Sequence, residues 1–501
     1  MCLLTFATQT KHSQRYRAGR FPADEGLLTR NNVVVHVVLL VGVLLLTSFS
    51  SVQADTFTQG SIPDFDCYRT AESIYQTIEN LEATYQQLIE LTTIGLSWEG
   101  QPIIGLKLTN HSIQVAKPRL VVISGLRGNS FAPAEIALLA AEELLASYNT
   151  VPDNAWLLDY VELHMVILAN PDGRTKAEAQ AQEGLEIAWQ NNTHNTCSGK
   201  AIGVRLNLNF PFEWRPSDIG ACDPAYPGVA GASEPETQAI ITYLQALADQ
   251  PEPILLLHLD SFGNEILSPF LFDPLAENPH ASALYTLAKK IAYNTDSVPY
   301  AQGGGDKPPV YGTLLDFAYG ELGMPALVMN LGMSRHGGHS ARCWYFNDYL
   351  KEQNKAALLR ALKLAADPYR VANGPDVEIT LLEYNTHAVI IAGSADDRTN
   401  WYGFAEAYSP IERVDYSVDL PPWDDRSAVY SVETLIPAED ADWISYFNLR
   451  LGFASLSQGK HRLFFQAWDT EDAELPSNPG PVTAIEILIP YRQFLPLLIS
   501  Q

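Results

Sequence analysis

Positive charge is scarce in this chain: 32 lysines and arginines stand against 58 aspartates and glutamates over 501 residues, a formal net charge of −26. Binding to a phosphate backbone needs clustered Lys and Arg, so nucleic acid is excluded as a partner. Cysteine is sparse too, and none of the five has the C-x-x-C spacing of a zinc knuckle or redox site. Charged residues make up only 18% against 47% apolar, a globular composition with ample material for a core. With 32 Pro and 32 Gly, a coiled coil or repeat array is excluded.

The main long apolar run, Val33 to Leu46, is too short for a comfortable membrane span. Arg30 precedes it and a small-residue stretch ending Val52-Gln53-Ala54 follows, which predicts a signal peptide over residues 1–54. An uncleaved anchor is the alternative; after cleavage no stable span is expected and the protein is secreted, cell-surface or periplasmic. Cys67, Cys197, Cys222 and Cys343 remain, an even number in an exported chain, which predicts two disulfides.

Apolar spacing predicts an amphipathic helix from Asp66 to Leu91, then strands at Ile103–Thr109 and Leu120–Leu126. Pro133 and Glu135 open an Ala/Leu-rich helix to Tyr148, and Val161–Leu168 is a strand ending at Asn170-Pro171-Asp172-Gly173. A loop-rich region follows to Ala232, where Ser233-Glu234-Pro235-Glu236 starts a helix with Ser as its cap. Ile254–Leu259 and Ala326–Leu331 are buried strands; Ala281–Tyr293 and Leu350–Ala365 are helices. This alternation predicts an α/β sheet covered on both faces over residues 67–370. After Ala372-Asn373-Gly374-Pro375, short strand-like runs (Glu378–Leu382, Ala388–Gly393, Ser427–Glu433, His461–Trp468) predict a β-sandwich over residues 376–490. Residues 491–501 form a short apolar tail.

Several segments, in order, resemble the zinc carboxypeptidases of the carboxypeptidase A and T type. Leu120–Pro133 is similar to the family's strand and loop carrying H-x-x-E, and Asn170–Gly173 to its N-P-D-G turn. Gly203–Phe210 resembles G-x-D-x-N-R-N-F, and Ser233–Thr237 resembles S-E-x-E-T. Leu257–Pro269 resembles the strand with the third metal ligand, and Asp316–Leu331 the stretch ending at the catalytic Glu. The resemblance implies a carboxypeptidase-like mixed eight-stranded sheet between helices, and the C-terminal region resembles an Ig-like accessory domain of some secreted bacterial relatives. Cys197 and Cys222 bracket the Gly203–Phe210 segment much as a disulfide does in some relatives, which leaves Cys67 and Cys343 to pair.

In the family, zinc is held by His, Glu and His with water in the fourth position, and a nearby Glu takes the proton from that water. Here the resemblance puts Arg127 at the first position and Ser130 at the second; His258 keeps its identity at the third, and Asn330 stands at the general base. Asn cannot accept a proton near neutral pH, and one imidazole is not a zinc site. Of the Asn-Arg pair that holds a substrate's terminal carboxylate, Asn207 survives but its partner is Leu208. The Tyr falls at Pro308, with Tyr311 nearby; the oxyanion Arg is Gln190, and the Asp that orients the first ligand is Arg205.

These losses are mutually consistent, because a supporting carboxylate has no task once its ligand is gone. They predict a fold whose catalysis has lapsed, with no metal cofactor. Arg127 and Arg205, with Asn207, could hold a peptide C-terminus or another small anion, since guanidinium groups fork onto carboxylates. Alternatively the arginines neutralise neighbouring acids, Asp260 pairing with Arg127 or Arg205. Two further functions compete: an active zinc metallocarboxypeptidase with rearranged ligands, and a scaffold whose β-sandwich binds. A metal on His336 and His339 is opposed by the two glycines between them, and His164 is expected as a hydrogen-bonded core histidine.

Overall fold

The computed structural model describes residues 61–62, 65–198, 202–216, 218, 220–303, 307–398, 409–435, 443–470 and 477–490. The signal peptide expected at 1–54 and the apolar tail 491–501 lie outside them. Among the described residues no helix is long and apolar enough to cross a membrane.

The chain opens with a small ribbon, β1 (Ser61–Ile62) and β2 (Phe65–Arg69), followed by helix α1 (Ala71–Thr84). Strands β3 (Ile89–Leu96), β4 (Pro102–Leu108) and β5 (Arg119–Ile123) lead to helices α2 (Phe131–Ser147) and α3 (Pro152–Tyr160). Then come β6 (Glu162–Val166), α4 (Pro171–Gln182), α5 (Pro235–Ala248), β7 (Ile254–Ser261) and β8 (Glu265–Leu267). The α/β part closes with α6 (Ala281–Ala292), β9 (Val298–Tyr300), α7 (Leu314–Gly320), β10 (Ala326–Leu331), α8 (Cys343–Tyr345) and α9 (Lys351–Leu364). The helix expected over Asp66–Leu91 is therefore shorter and flanked by strands. Thr70 caps it by accepting from the Ser73 amide, and Tyr85 ends it. Ser233 does not cap α5 as expected: Glu234 is its N-cap residue, and the Ser233 hydroxyl donates to the Glu234 carboxylate instead.

Strands β3 to β10 form one mixed eight-stranded sheet, ordered β3-β4-β6-β5-β7-β10-β8-β9. Its centre is parallel: β5 pairs β6 and β7, and β7 pairs β10. Every residue of β5 is buried, as is every residue of β7 after Ile254, which is why both read as continuous apolar runs. Burial of side chains such as Val121 and Ile123 stabilises the fold by about 1.5–3 kcal/mol each. Parallel strands deliver their following loops to one edge, so the chain after β5, β7 and β10 converges at the carboxyl ends of the central strands. That edge carries the site.

Two disulfides form, Cys67–Cys343 and Cys197–Cys222. Such bonds persist in oxidising surroundings, as in extracellular proteins.

Beyond residue 375 the chain is all antiparallel. Strands β11 (Asp376–Tyr384), β12 (Ala388–Asp396), β15 (Thr434–Leu435) and β16 (Ile444–Gly452) make one sheet. The other holds β13 (Ile411–Val418), β14 (Val429–Val432), β17 (Gly459–Asp469), β18 (Asn478–Pro479) and β19 (Thr483–Ile489). Alternate residues face inward, so Val389, Ile391 and Phe447 meet Val414, Leu463, Phe465 and Ile487 in a shared core. Part of the opposite face of β17 and β19 is covered: Phe464 and Ala484, with Val482 just before β19, join the core of the α/β part. Residues 59–501 accordingly form one compact unit.

Candidate functional site

The loop after β5 carries Arg127 and ends at Ser130, the residue preceding α2. Gly128 lets this loop lie against the start of α4, where a Cβ would meet the Gly173 carbonyl oxygen at 2.2 Å. Ser130 occupies the N-cap position of α2 but makes no capping bond. Its hydroxyl turns instead to Asp260 Oδ1 (3.1 Å) and Ser261 Oγ (2.8 Å) at the end of β7. Arg127 Nε donates to Asp260 Oδ2 at 2.9 Å, and the Ser261 amide donates to Asp260 Oδ1 at 2.8 Å. Asp260, buried, thus collects an ion pair and two further donors. Burial raises its pKa, but the Arg127 charge beside it, helped by the Ser261 amide bond, outweighs that and holds it below the usual carboxylate range.

His258 joins none of this. It lies two residues before Asp260 on the same face of β7, fully buried, and neither ring nitrogen has a hydrogen-bond partner among the described residues. Burial and the Arg127 charge push its pKa down to about 4, so the ring is neutral. The side chain that actually meets Arg127 and Ser130 is Asp260.

Gln190 bridges the two arginines: its Oε1 accepts from Arg127 at 3.3 Å and, in a short contact, from Arg205. Arg205 is paired to no carboxylate among the described residues, and its buried Nε has no partner there. Desolvation, with the Arg127 charge next, pushes the Arg205 pKa down to about 10. Asn207, two residues further, accepts weakly from the Leu314 amide at 3.5 Å. Asn330 lies beside Asp260 in the β7–β10 register, and its amide donates to Glu265 Oε1 at 2.9 Å. Lys307 holds the other Glu265 oxygen.

The His336–His339 pair is separated. His336 packs against Tyr345 and Trp344, with centroids 4.4 and 5.0 Å away, whereas His339 reaches the arginine cluster. A guanidinium only donates, so its 3.4 Å contact with His339 Nε2 puts the ring proton on Nδ1, facing Ser261 Oγ at 3.4 Å. His339 in that tautomer cannot take a proton from Ser261, and burial and Arg127 push its pKa down to about 4. His164 is the core histidine expected, bonded to Tyr243 and Glu162 at 2.8 and 3.1 Å. Sequence reasoning did not anticipate Gln190 as a bridge, because its link to Arg205 spans a loop with no periodic signal.

The family model for zinc carboxypeptidases matches residues 74–353. The chain belongs to the zinc carboxypeptidase family. Among its relatives, the inactive metallocarboxypeptidase ecm14 of Schizosaccharomyces pombe is 24% identical over 286 residues, covering 53% of this chain and 56% of that protein. Carboxypeptidase A2 of Mus musculus is 25% identical over 214 residues, covering 42% and 49%. The chain spans about half the length of the curated relatives it matches. Among solved structures, thrombin activatable fibrinolysis inhibitor superposes with a TM-score of 0.54 at 19% identity, over 60% of this chain and 74% of that one. That likeness establishes the fold, with the mixed eight-stranded sheet expected from the sequence.

The family is named for zinc, and the donor set here does not fit it. A guanidinium has no lone pair to offer, the Ser130 hydroxyl is engaged by Asp260 and Ser261, and Asp260 is spent on Arg127. Among the described residues no group of three His, Cys, Asp or Glu side chains is placed to hold a metal ion.

Proposed function

We propose that this carboxypeptidase-fold protein is a secreted, non-catalytic binder of peptide C-termini or other small carboxylates. The observation that carries the reading is the closed Arg127–Asp260–Ser130 cluster at the positions where the family keeps its metal. A fixed positive charge stands in for the metal's, and Asp260 neutralises it. We also reassign the third ligand position from His258 to Asp260, since Asp260 is the side chain in contact with the other two. Asn330, at the general-base position, is an amide turned toward Glu265 and offers no base. The inactive relatives from two yeasts support a lapse of catalysis within this family.

Binding falls to Arg205. Arg127 is already paired, whereas among the described residues the Arg205 side chain hydrogen-bonds the neutral Gln190 amide and no carboxylate, two residues from Asn207. A ligand carboxylate would relieve the desolvation of Arg205 with a charge-assisted pair.

The test joins metal content, hydrolysis and binding on the mature protein. Expected are no stoichiometric zinc, no release of C-terminal residues from N-blocked dipeptides, and calorimetric binding of those dipeptides but not of their C-terminal amides. Arg205→Ala should weaken binding about 10- to 100-fold, the worth of a hydrogen bond to a charged group. Stoichiometric zinc with chelator-sensitive hydrolysis would overturn this in favour of an active metallocarboxypeptidase. A variant combining Arg127→His, Ser130→Glu, Asp260→His and Asn330→Glu should regain zinc; the same set leaving position 260 as Asp should bind it less well.

A further inference from the structure

A separate cavity of about 460 Å³ opens where the outer face of the second β-sheet meets the α/β part. Neither Arg127 nor Arg205 lines it, so a ligand held there is independent of carboxylate binding at the arginines. Its walls include three indoles: Trp156 from α3, Trp423 from the β13–β14 connection, and Trp468 near the end of β17. Trp156 meets Trp423 edge-on with centroids 5.8 Å apart, and the Arg413 guanidinium lies 4.3 Å over the Trp468 ring. The indoles are therefore held in place, yet Trp423 stays 46% exposed, leaving ring surface free to be covered.

The charges around this cavity are already matched. Lys363 pairs with Asp153 at 2.6 Å, Asp415 with Arg413 at 3.0 Å, and Asp367 with Arg370 at 3.8 Å. Among the described residues no unpaired charge is left over to select an ion. A volume of this size is within the roughly 300–1,000 Å³ of small-molecule sites, which favour junctions between packed layers and combine apolar walls with few polar groups.

We propose that this cavity binds a neutral, ring-bearing organic molecule, its ring lying against Trp423. The probe is 6-propionyl-2-dimethylaminonaphthalene, uncharged, with two fused rings and one ketone, titrated into the mature chain and followed by its emission. Saturable binding with a blue shift is expected. Trp423→Ala, which removes a half-exposed wall, should weaken binding about tenfold. Val429→Glu, at another exposed lining position, should do so by placing a charge against the ring. Arg205→Ala should leave it unchanged, and circular dichroism should show each variant folded. Non-saturable partitioning, or equal affinity in the Trp423 and Val429 variants, would overturn the assignment.

Discussion

Breaking the Arg127–Asp260 pair costs the fold more than the intact pair contributes. A buried pair gains Coulomb energy only against a large desolvation cost, so its net contribution is small; removing one partner leaves the other charge stranded. Arg127→Ala should therefore cost about 3–5 kcal/mol in urea unfolding, because Asp260 is buried and its other donors are a hydroxyl and an amide. The double variant Arg127→Met, Asp260→Leu should recover most of that loss. If the single variant were as stable as wild type, the cluster would be an incidental contact. The same residue explains why His258 and His339 are neutral: burial disfavours their charged forms first, and the neighbouring guanidinium adds to it.

At the start of α5, two buried carboxylates share one amide: Asn192 Nδ2 donates to Glu234 at 2.8 Å and to Glu236 at 3.2 Å. Glu236 also accepts from the Trp98 amide at 2.9 Å. A helix N-terminus favours an anion, but burial dominates and pushes the Glu236 pKa from 4.5 up to about 7. A raised acid binds its proton more tightly when folded, so its contribution is full below pH 4.5 and is lost as pH rises through about 7. Glu236→Gln, a mimic of the protonated form, should flatten the decline of the melting temperature across that window. A decline of unchanged slope would assign it to other groups.

The two parts of the molecule stand or fall together. Phe464 from β17 is buried in the core of the α/β part, Arg462 pairs with Asp159 at 2.7 Å, and the Ala484 amide donates to Asp153 at 2.7 Å. Deleting residues 376–501 uncovers the apolar surface around Trp156 and Tyr160 and unpairs Asp159. The remaining chain should lose about 3–6 kcal/mol, from one buried aromatic and one charge-assisted bond. Chemical unfolding followed by near-UV circular dichroism would check this; an unchanged midpoint would mean that the β region is energetically independent.

The sequence alone determined the α/β class, the switch to antiparallel strands near Pro375, and the central strands, because buried parallel strands such as Ala326–Leu331 are unbroken apolar runs between turn signals. Strands such as β8 and β9 escaped notice because each is three residues long and gains its ladder only from neighbours far away in the chain. At the site, the sequence singled out Arg127, Ser130, Arg205, Asn207, His258 and Asn330 through ordered motifs. It offered Asp260 as the partner of either Arg127 or Arg205 without saying which, and kept His258 at the third ligand position although both lie on one face of one strand. Only tertiary structure decided that. The choice depends on how far the Arg127 side chain reaches along β7, where a buried carboxylate lowers its free energy by taking a guanidinium and an imidazole does not.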